Sequence, residues 1–271
     1  MKFYEHPQYD ESWEVPNAEY YVFGHRSTKY CIVIPVINEN GRISRQLGRM
    51  KELGIPAIAD IIIADGGSTD GSVNHNSFNS FGVRAIIVVD QSGQSSQLRA
   101  GYAFALSEGY EGIITVDGNN KDSVESIPQF IAALESGIAY VQGSRFITGG
   151  SGINTPPLRS FAIRFISVPL VSLAARRFIT DTTNAFRAYQ RSYLLHPDVR
   201  PFRSIFRTYE LHFYLGARAS RLGLSVMEIP VIRKYPAKGA LPTKISPIAG
   251  KFIFLKIMFL AILGYYNPKS R

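Results

Sequence analysis

Cysteine is almost absent from this chain: its 271 residues include one, Cys31. No intrachain disulfide can form, which excludes a disulfide-stapled secreted scaffold. Cys31 lies in an apolar run and is expected to pack as a small buried hydrophobe. Five scattered histidines beside one cysteine argue against a structural zinc site. Charged residues make up only 19% of the chain against 45% hydrophobic ones, which excludes a disordered chain. No run offers 18 apolar residues free of charge, so no conventional transmembrane helix is expected. The nearest approach, FIFLKIMFLAILGYY at 252–266, contains Lys256. As a helix it would span roughly 22 Å, short of a bilayer core of roughly 30 Å. The opening residues are polar and acidic and do not resemble a signal peptide, so a cytoplasmic location is expected. Acid is scarce in the second half: residues 145–271 hold 20 basic and 4 acidic side chains, a net of +16, whereas residues 1–144 net −7. Such a split suits two tasks, the basic half meeting an anion such as a phosphorylated ligand, a nucleic acid or an anionic membrane.

What is present is a rhythm. Residues 1–29 read as an N-terminal extension of unassigned structure. Continuous apolar runs at 30–36, 57–65, 83–90, 112–117 and 138–146 read as buried strands. Helical spacing fills 42–53, 95–109 and 123–137, with a short polar helix before the third strand. Alternating strands and helices predict an α/β fold, a mostly parallel Rossmann-like sheet with helices on both faces. Ligands then gather beyond the carboxyl ends of the strands. Asn38-Glu39, Asp65, Asp117 and Arg145 all fall there. After 146 the rhythm breaks into a Gly/Ser/Pro loop at 147–157 and an apolar, arginine-bearing helix at 161–178, kinked at Pro169. A turn and strand at 180–191, a helix at 207–222, a strand at 224–232 and a loop at 234–244 follow. The division expected is 1–29 extension, 30–247 main domain and 248–271 an amphipathic, membrane-associated helix.

The segments YCIVIPVINEN, IIIADGGSTDGS, GIITVDGNNKD, VQGSRF and TDTTNAFRAYQR occur in the order and spacing of inverting glycosyltransferases of GT-A fold, family 2. The branch they resemble most is the dolichol-phosphate mannosyltransferase and polyprenyl-phosphate glycosyltransferase group. The resemblance covers about residues 30–250. It implies a nucleotide-sugar donor, UDP- or GDP-linked, with Asp65, Ser68, Asp117 and the Pro35, Asn38, Glu39 turn contacting the nucleotide. Glu39 reads equally as an acid at a helix N-terminus, and Ser68 and Asp70 as turn or cap residues.

The chain departs from the family at 117–122, Asp-Gly-Asn-Asn-Lys-Asp. The family usually has Asp-x-Asp here, holding a divalent metal against the donor diphosphate. Asp117 is kept, the second acid is Asn119, and Lys121 stands two further on. Either Mg²⁺ or Mn²⁺ binds weakly through Asp117 and Asn119, with Asp122 nearby, or the Lys121 ammonium partly replaces the cation. Arg145 matches the family's GSR motif and, with Arg159 and Arg233, suits phosphate oxygens. Asp181, with Arg145 and Asp117 in the catalytic set, is either a general base for a sugar hydroxyl or a positioning group. Gln94 to Arg99 loosely matches a donor-side stretch, and His75, His196 and His212 read as surface or core residues.

The function expected is transfer of a sugar with inversion to a lipid-linked acceptor, polyprenyl phosphate or another glycan acceptor, in cell-surface glycan synthesis. A polysaccharide glycosyltransferase with Asp181 as base and a degenerate nucleotide-sugar binder are the alternatives. Nucleic acid is not an expected partner, because no aromatic-basic interleaving supports it. Arg164, Arg176, Arg177, Lys251, Lys256 and Lys269 among apolar residues suit the cytoplasmic face of an anionic membrane. A homo-oligomer stays open.

Overall fold

The structure, a computed structural model, describes residues 2–3, 7–91, 93–237 and 249–269. Its strands in chain order are β1 Lys2–Phe3, β2 Ala18–Val22, β3 Tyr30–Val36, β4 Asp60–Asp65, β5 Val83–Val89, β6 Gly112–Thr115, β7 Tyr140–Ser144, β8 Ser151–Ile153, β9 Arg187–Gln190, β10 Val226–Pro230 and β11 Ile232–Lys234. Nine form one sheet in the order β1-β2-β5-β4-β3-β6-β9-β7-β10, and β11 with β8 makes a small second sheet. The β5-β4-β3-β6 centre is parallel throughout. β9 inserts antiparallel between β6 and β7, so the sheet is mixed.

The central strands are apolar along their whole length because both faces are covered. Successive side chains point to opposite sides. Cys31, Val33, Ile62 and Ala64 enter one core, while Ile32, Ile34, Ile61 and Ile63 enter the other. The first core is closed by α3 (Gln94–Ser107), the second by α1 (Arg42–Glu52), α2 (His75–Ser80) and α4 (Ile127–Glu135). Pro35 is tolerated in a central strand because pairing with β6 has already ended at Val33–Thr115.

The structure moves several predicted boundaries. The strand expected at 57–65 begins at Asp60, behind a 3₁₀ turn at Ile55–Ala57 that follows left-handed Gly54 and contains Pro56. Residues 18–22, given no structure from sequence, pair antiparallel with β5, and Trp13 stacks on Phe202 at 4.1 Å. The helix expected at 161–178 runs from Pro157 to Ala175 as α5. Its irregularity is a π-helical turn at Ile163–Ser167, just before Pro169, where the wider turn accommodates the missing N–H. Two short arrays follow it, α6 (Arg191–Leu194) and α7 (Glu210–Arg221). The strand expected at 224–232 splits at Val231 into β10 and β11. The last helix, α8, spans Ala249–Ile262 and packs on α5 and α7. The expected boundary at 247/248 and most of the 234–244 loop lie outside the described residues. Among the described residues α5 is the one helix long and apolar enough to cross a membrane, although it carries Arg159 and Arg164.

Candidate functional site

The polar residues singled out by sequence converge at the carboxyl edge of β3, β4, β6 and β7. Asp65 ends β4 and is buried, accepting hydrogen bonds from the Ser68 N–H at 3.1 Å and from Ser68 Oγ at 2.6 Å. Burial pushes its carboxyl up, against the pull of those two bonds. The turn after β3 is held to the same loop. The Asn38 N–H donates to Ser68 Oγ at 3.0 Å, and Asn38 Oδ1 accepts from the Thr69 N–H at 2.8 Å. Asn38, Asn40 and Gly41 all have left-handed backbones, which lets the chain turn sharply into α1. Glu39 pairs with Arg42 at 2.8 Å across the start of α1, the helix-terminal arrangement that its position allowed. Gln97 ties the two strand ends together, its Nε2 donating to the carbonyls of Val36 and Ala64 at 2.6 and 2.8 Å.

The second half of the site is the 117–122 loop. Gly118 lets it approach β3: an added Cβ would stand 2.9 Å from Val36 Cγ2. Asp117 Oδ1 accepts from Gln94 Nε2 at 3.1 Å, and Oδ2 accepts from Arg233 Nη2 at 2.8 Å and from Asn119 Nδ2 at 3.2 Å. Arg233 Nη1 donates to Asp122, so one guanidinium bridges both carboxylates. Arg233 reaches them because the chain around β11 lies along the loop. The Ser123 N–H donates to the Ile232 carbonyl at 2.9 Å, and the Lys234 N–H to the Lys121 carbonyl at 2.7 Å. Burial acts to raise the Asp117 carboxyl, but Arg233 and Lys121 outweigh it and hold it below the usual carboxylate range. Burial raises the Asp122 carboxyl, and its Oδ1 finds no hydrogen bond among the described residues. Lys121 is almost fully buried, and burial together with Arg233 brings its ammonium down to about 8.

A cationic wall faces this loop. The Lys121 ammonium and the Arg159 and Arg233 guanidinium carbons lie 5.2, 5.4 and 5.9 Å from the centre of the Tyr235 ring. Arg145 and Arg164 share Phe146 in the same way, at 5.3 and 4.7 Å. Arg145 is locked to Asp181: Nε donates to Oδ2 at 2.6 Å, Nη2 to Oδ1 at 2.8 Å, and the backbone N–H to Oδ2 at 3.1 Å. Asp181 has no exposed surface, and the bonds from Arg145 hold its carboxyl low against the upward push of burial.

Asp117 and Asn119, the residues expected to meet a metal, stand on one loop, where Asn119 Nδ2 donates to Asp117 Oδ2. Asn119 is satisfied within its own loop, since its Oδ1 accepts from the Lys121 N–H at 3.3 Å. Among the described residues no three acidic, histidine or cysteine side chains are grouped to hold a metal ion. Arg233, expected with Arg145 and Arg159 at phosphate oxygens, stands beside Arg159 at Tyr235 and also bridges Asp117 and Asp122. Sequence reasoning passed over Tyr235 and gave Gln94 and Gln97 no particular role. Gln97 had a helix-start signal, whereas Tyr235 had none.

Outside the wall, α5 and α8 present an apolar surface to solvent. Phe161, Phe165 and Leu173 of α5 are 55–65% exposed, as are Phe252, Phe259 and Leu263 beside or on α8 at 58–70%. Arg164, Arg176, Arg177 and Lys256 are exposed among them.

A sequence model of the family described as Glycosyl transferase family 2 matches residues 31–198. The undecaprenyl-phosphate mannosyltransferase of Micrococcus luteus is 25% identical over 203 residues, covering 73% of this chain and 81% of that protein. The polyprenol monophosphomannose synthase of Mycolicibacterium smegmatis is 25% identical over 209 residues, covering 74% and 75%. Among solved structures, glucosyl-3-phosphoglycerate synthase from Mycobacterium tuberculosis, in complex with Mn²⁺, UDP and phosphoglyceric acid, superposes with a TM-score of 0.60 at 17% identity. The match covers 89% of this chain and 80% of that one, and it establishes the shared fold.

Proposed function

The chain belongs to glycosyl transferase family 2, and from that premise we propose that it moves a sugar from a nucleoside diphosphate sugar to polyprenyl phosphate, with inversion, at a membrane surface. The names of the relatives in Micrococcus and Mycolicibacterium support a polyprenyl-phosphate acceptor. One observation on this chain carries the reading furthest: α5 turns Arg159 inward to the Tyr235 cluster while its neighbours Leu158 and Phe161 face solvent. An acceptor with an anionic head and an apolar tail matches that division.

In this reading Asp65 and the Asn38 turn hold the nucleoside. An anionic phosphate oxygen of the acceptor attacks the anomeric carbon from the face opposite the leaving group. The bond between that carbon and the diphosphate oxygen breaks, and the leaving nucleoside diphosphate takes the electron pair. Preformed cations at that oxygen stabilise the charge as it develops. A phosphate nucleophile is already ionised near neutral pH and needs no base. Asp181, enclosed and bound to Arg145 through both oxygens, fits a positioning role. Its burial weighs against the sugar-hydroxyl alternative, which requires a carboxylate that reaches the acceptor.

The test is transfer of labelled sugar from UDP- and GDP-sugars to polyprenyl phosphate in vesicles, with a soluble glycan acceptor alongside. Product is expected in the lipid phase, from one donor, with inverted anomeric configuration. Equal or preferred labelling of the soluble acceptor overturns the lipid assignment.

A further inference from the structure

The 117–122 loop holds two carboxylates, half-buried Asp117 and buried Asp122, and a protein-borne cation already contacts one oxygen of each, while Asp122 Oδ1 has no hydrogen bond among the described residues. Arg233 bridges Asp117 and Asp122, and Gln94 and Asn119 take further positions on Asp117. A divalent ion here would have to displace these donors and then sit beside Arg233 and the Lys121 ammonium. Hard divalent cations need several oxygen ligands at close range. The loop offers no such set, because Asn119 turns its amide N–H toward Asp117 and its carbonyl toward the Lys121 backbone.

The charge balance points the same way. Lys121, Arg145, Arg159 and Arg233 face Asp117, Asp122 and Asp181 across the cluster. With every group in its usual ionic form, the cluster is already one positive charge in excess. A diphosphate brings negative charge to this cationic cluster, whereas a divalent cation placed beside Lys121 and Arg233 meets like charges. Lys121 also stands on the same loop as Asp117, four residues beyond it, at the carboxyl end of β6.

Building on the reading that the donor is a nucleoside diphosphate sugar, we infer that Lys121 and Arg233 take the place of a divalent metal, so that this chain binds the donor diphosphate as the metal-free anion. Lys121 contributes one charge from the loop and Arg233 a second from its place between Asp117 and Asp122. Asp117 and Asp122 act on the diphosphate by positioning Arg233.

Calorimetric titration of the full chain with UDP and with GDP, in EDTA and in excess Mn²⁺, tests this through binding alone. One of the two nucleotides is expected to bind in EDTA at least as tightly as in excess Mn²⁺, which sequesters the free anion. Lys121→Gln should weaken binding in EDTA by about ten-fold or more, the loss expected for a charge-assisted contact, while Lys121→Arg retains most of it. The double variant Asn119→Asp, Lys121→Gln should acquire Mn²⁺-dependent binding. Thermal unfolding of each variant reports folding, and the wild-type comparison and Lys121→Arg decide the matter if Lys121→Gln is unstable. Wild-type binding that needs Mn²⁺ overturns the inference and leaves the donor reading intact. Absence of UDP and GDP binding in both conditions overturns the donor reading, and the inference with it.

Discussion

At the scale of single residues, the site is a set of charges whose partners decide their roles. Asp181 illustrates this. As a base it would need access to an acceptor, yet it has no exposed surface and is held by Arg145 through three bonds. Removing one member of a buried ion pair leaves the other charge uncompensated and typically costs about 3–5 kcal/mol. Asp181→Asn is therefore expected to lower stability by a large part of that, measured by denaturant unfolding, together with a loss of turnover. Lost turnover at unchanged stability would identify Asp181 as the base instead. His212 gives a second test. It is buried on α7 with neither ring nitrogen hydrogen-bonded among the described residues, and burial, with Arg187 nearby, pushes it down to about 3. An unfolded histidine takes a proton near pH 6.5. Between those values the unfolded chain binds one more proton than the folded one, so stability falls as pH drops below about 6.5. The slope from this residue approaches about 1.4 kcal/mol per pH unit. His212→Leu should flatten the acid limb of a stability–pH profile, and an unchanged slope would contradict the assignment.

At the scale of elements, legibility followed from how local each signal was. β3, β4 and β6 could be read because strands covered on both faces are apolar throughout, and their carboxyl ends then located Asp65, Asp117 and the Asn38 turn. β2 could not be read: AEYYV is a half-buried strand, next to the edge, whose pattern barely alternates. The contact between Arg233 and Asp117 was equally hidden. It joins residues 116 positions apart and depends on β11 lying along residues 121–123, a pairing no periodicity encodes. The π turn in α5 is not legible in sequence, which shows Pro169 but not the wide turn before it. That turn has a functional reading. It lies between Arg159 and the downstream apolar face, and Phe161 and Phe165 stand out from it on the solvent side. Phe161→Ser with Phe165→Ser should release the protein from anionic vesicles in a flotation assay, with UDP or GDP affinity unchanged. Wild-type binding should weaken only in part at high salt, because each basic side chain near the surface contributes about 1 kcal/mol that screening removes, while inserted aromatics are insensitive to salt. Flotation of the variant equal to wild type would move the membrane contact elsewhere.

At the scale of the whole molecule, the two halves of the sequence are two halves of a reaction space. The acidic half supplies seven of the nine strands of the main sheet, Asp65 and the 117–122 loop. The basic half, with its net of +16, supplies β11, Tyr235, the α5 helix and the apolar face. They meet where Arg233 crosses into the acidic half, so the donor loop has its neutralising charge before any ligand arrives. That crossing bears on the form in which the donor is taken from solution. Nucleoside diphosphate sugars partition between free and magnesium-bound species, and a protein that carries its own cations draws on the free one. On the inference that Lys121 and Arg233 stand in for the metal, magnesium is a competitor for the donor rather than a helper, and raising free Mg²⁺ above the donor concentration is expected to weaken donor binding.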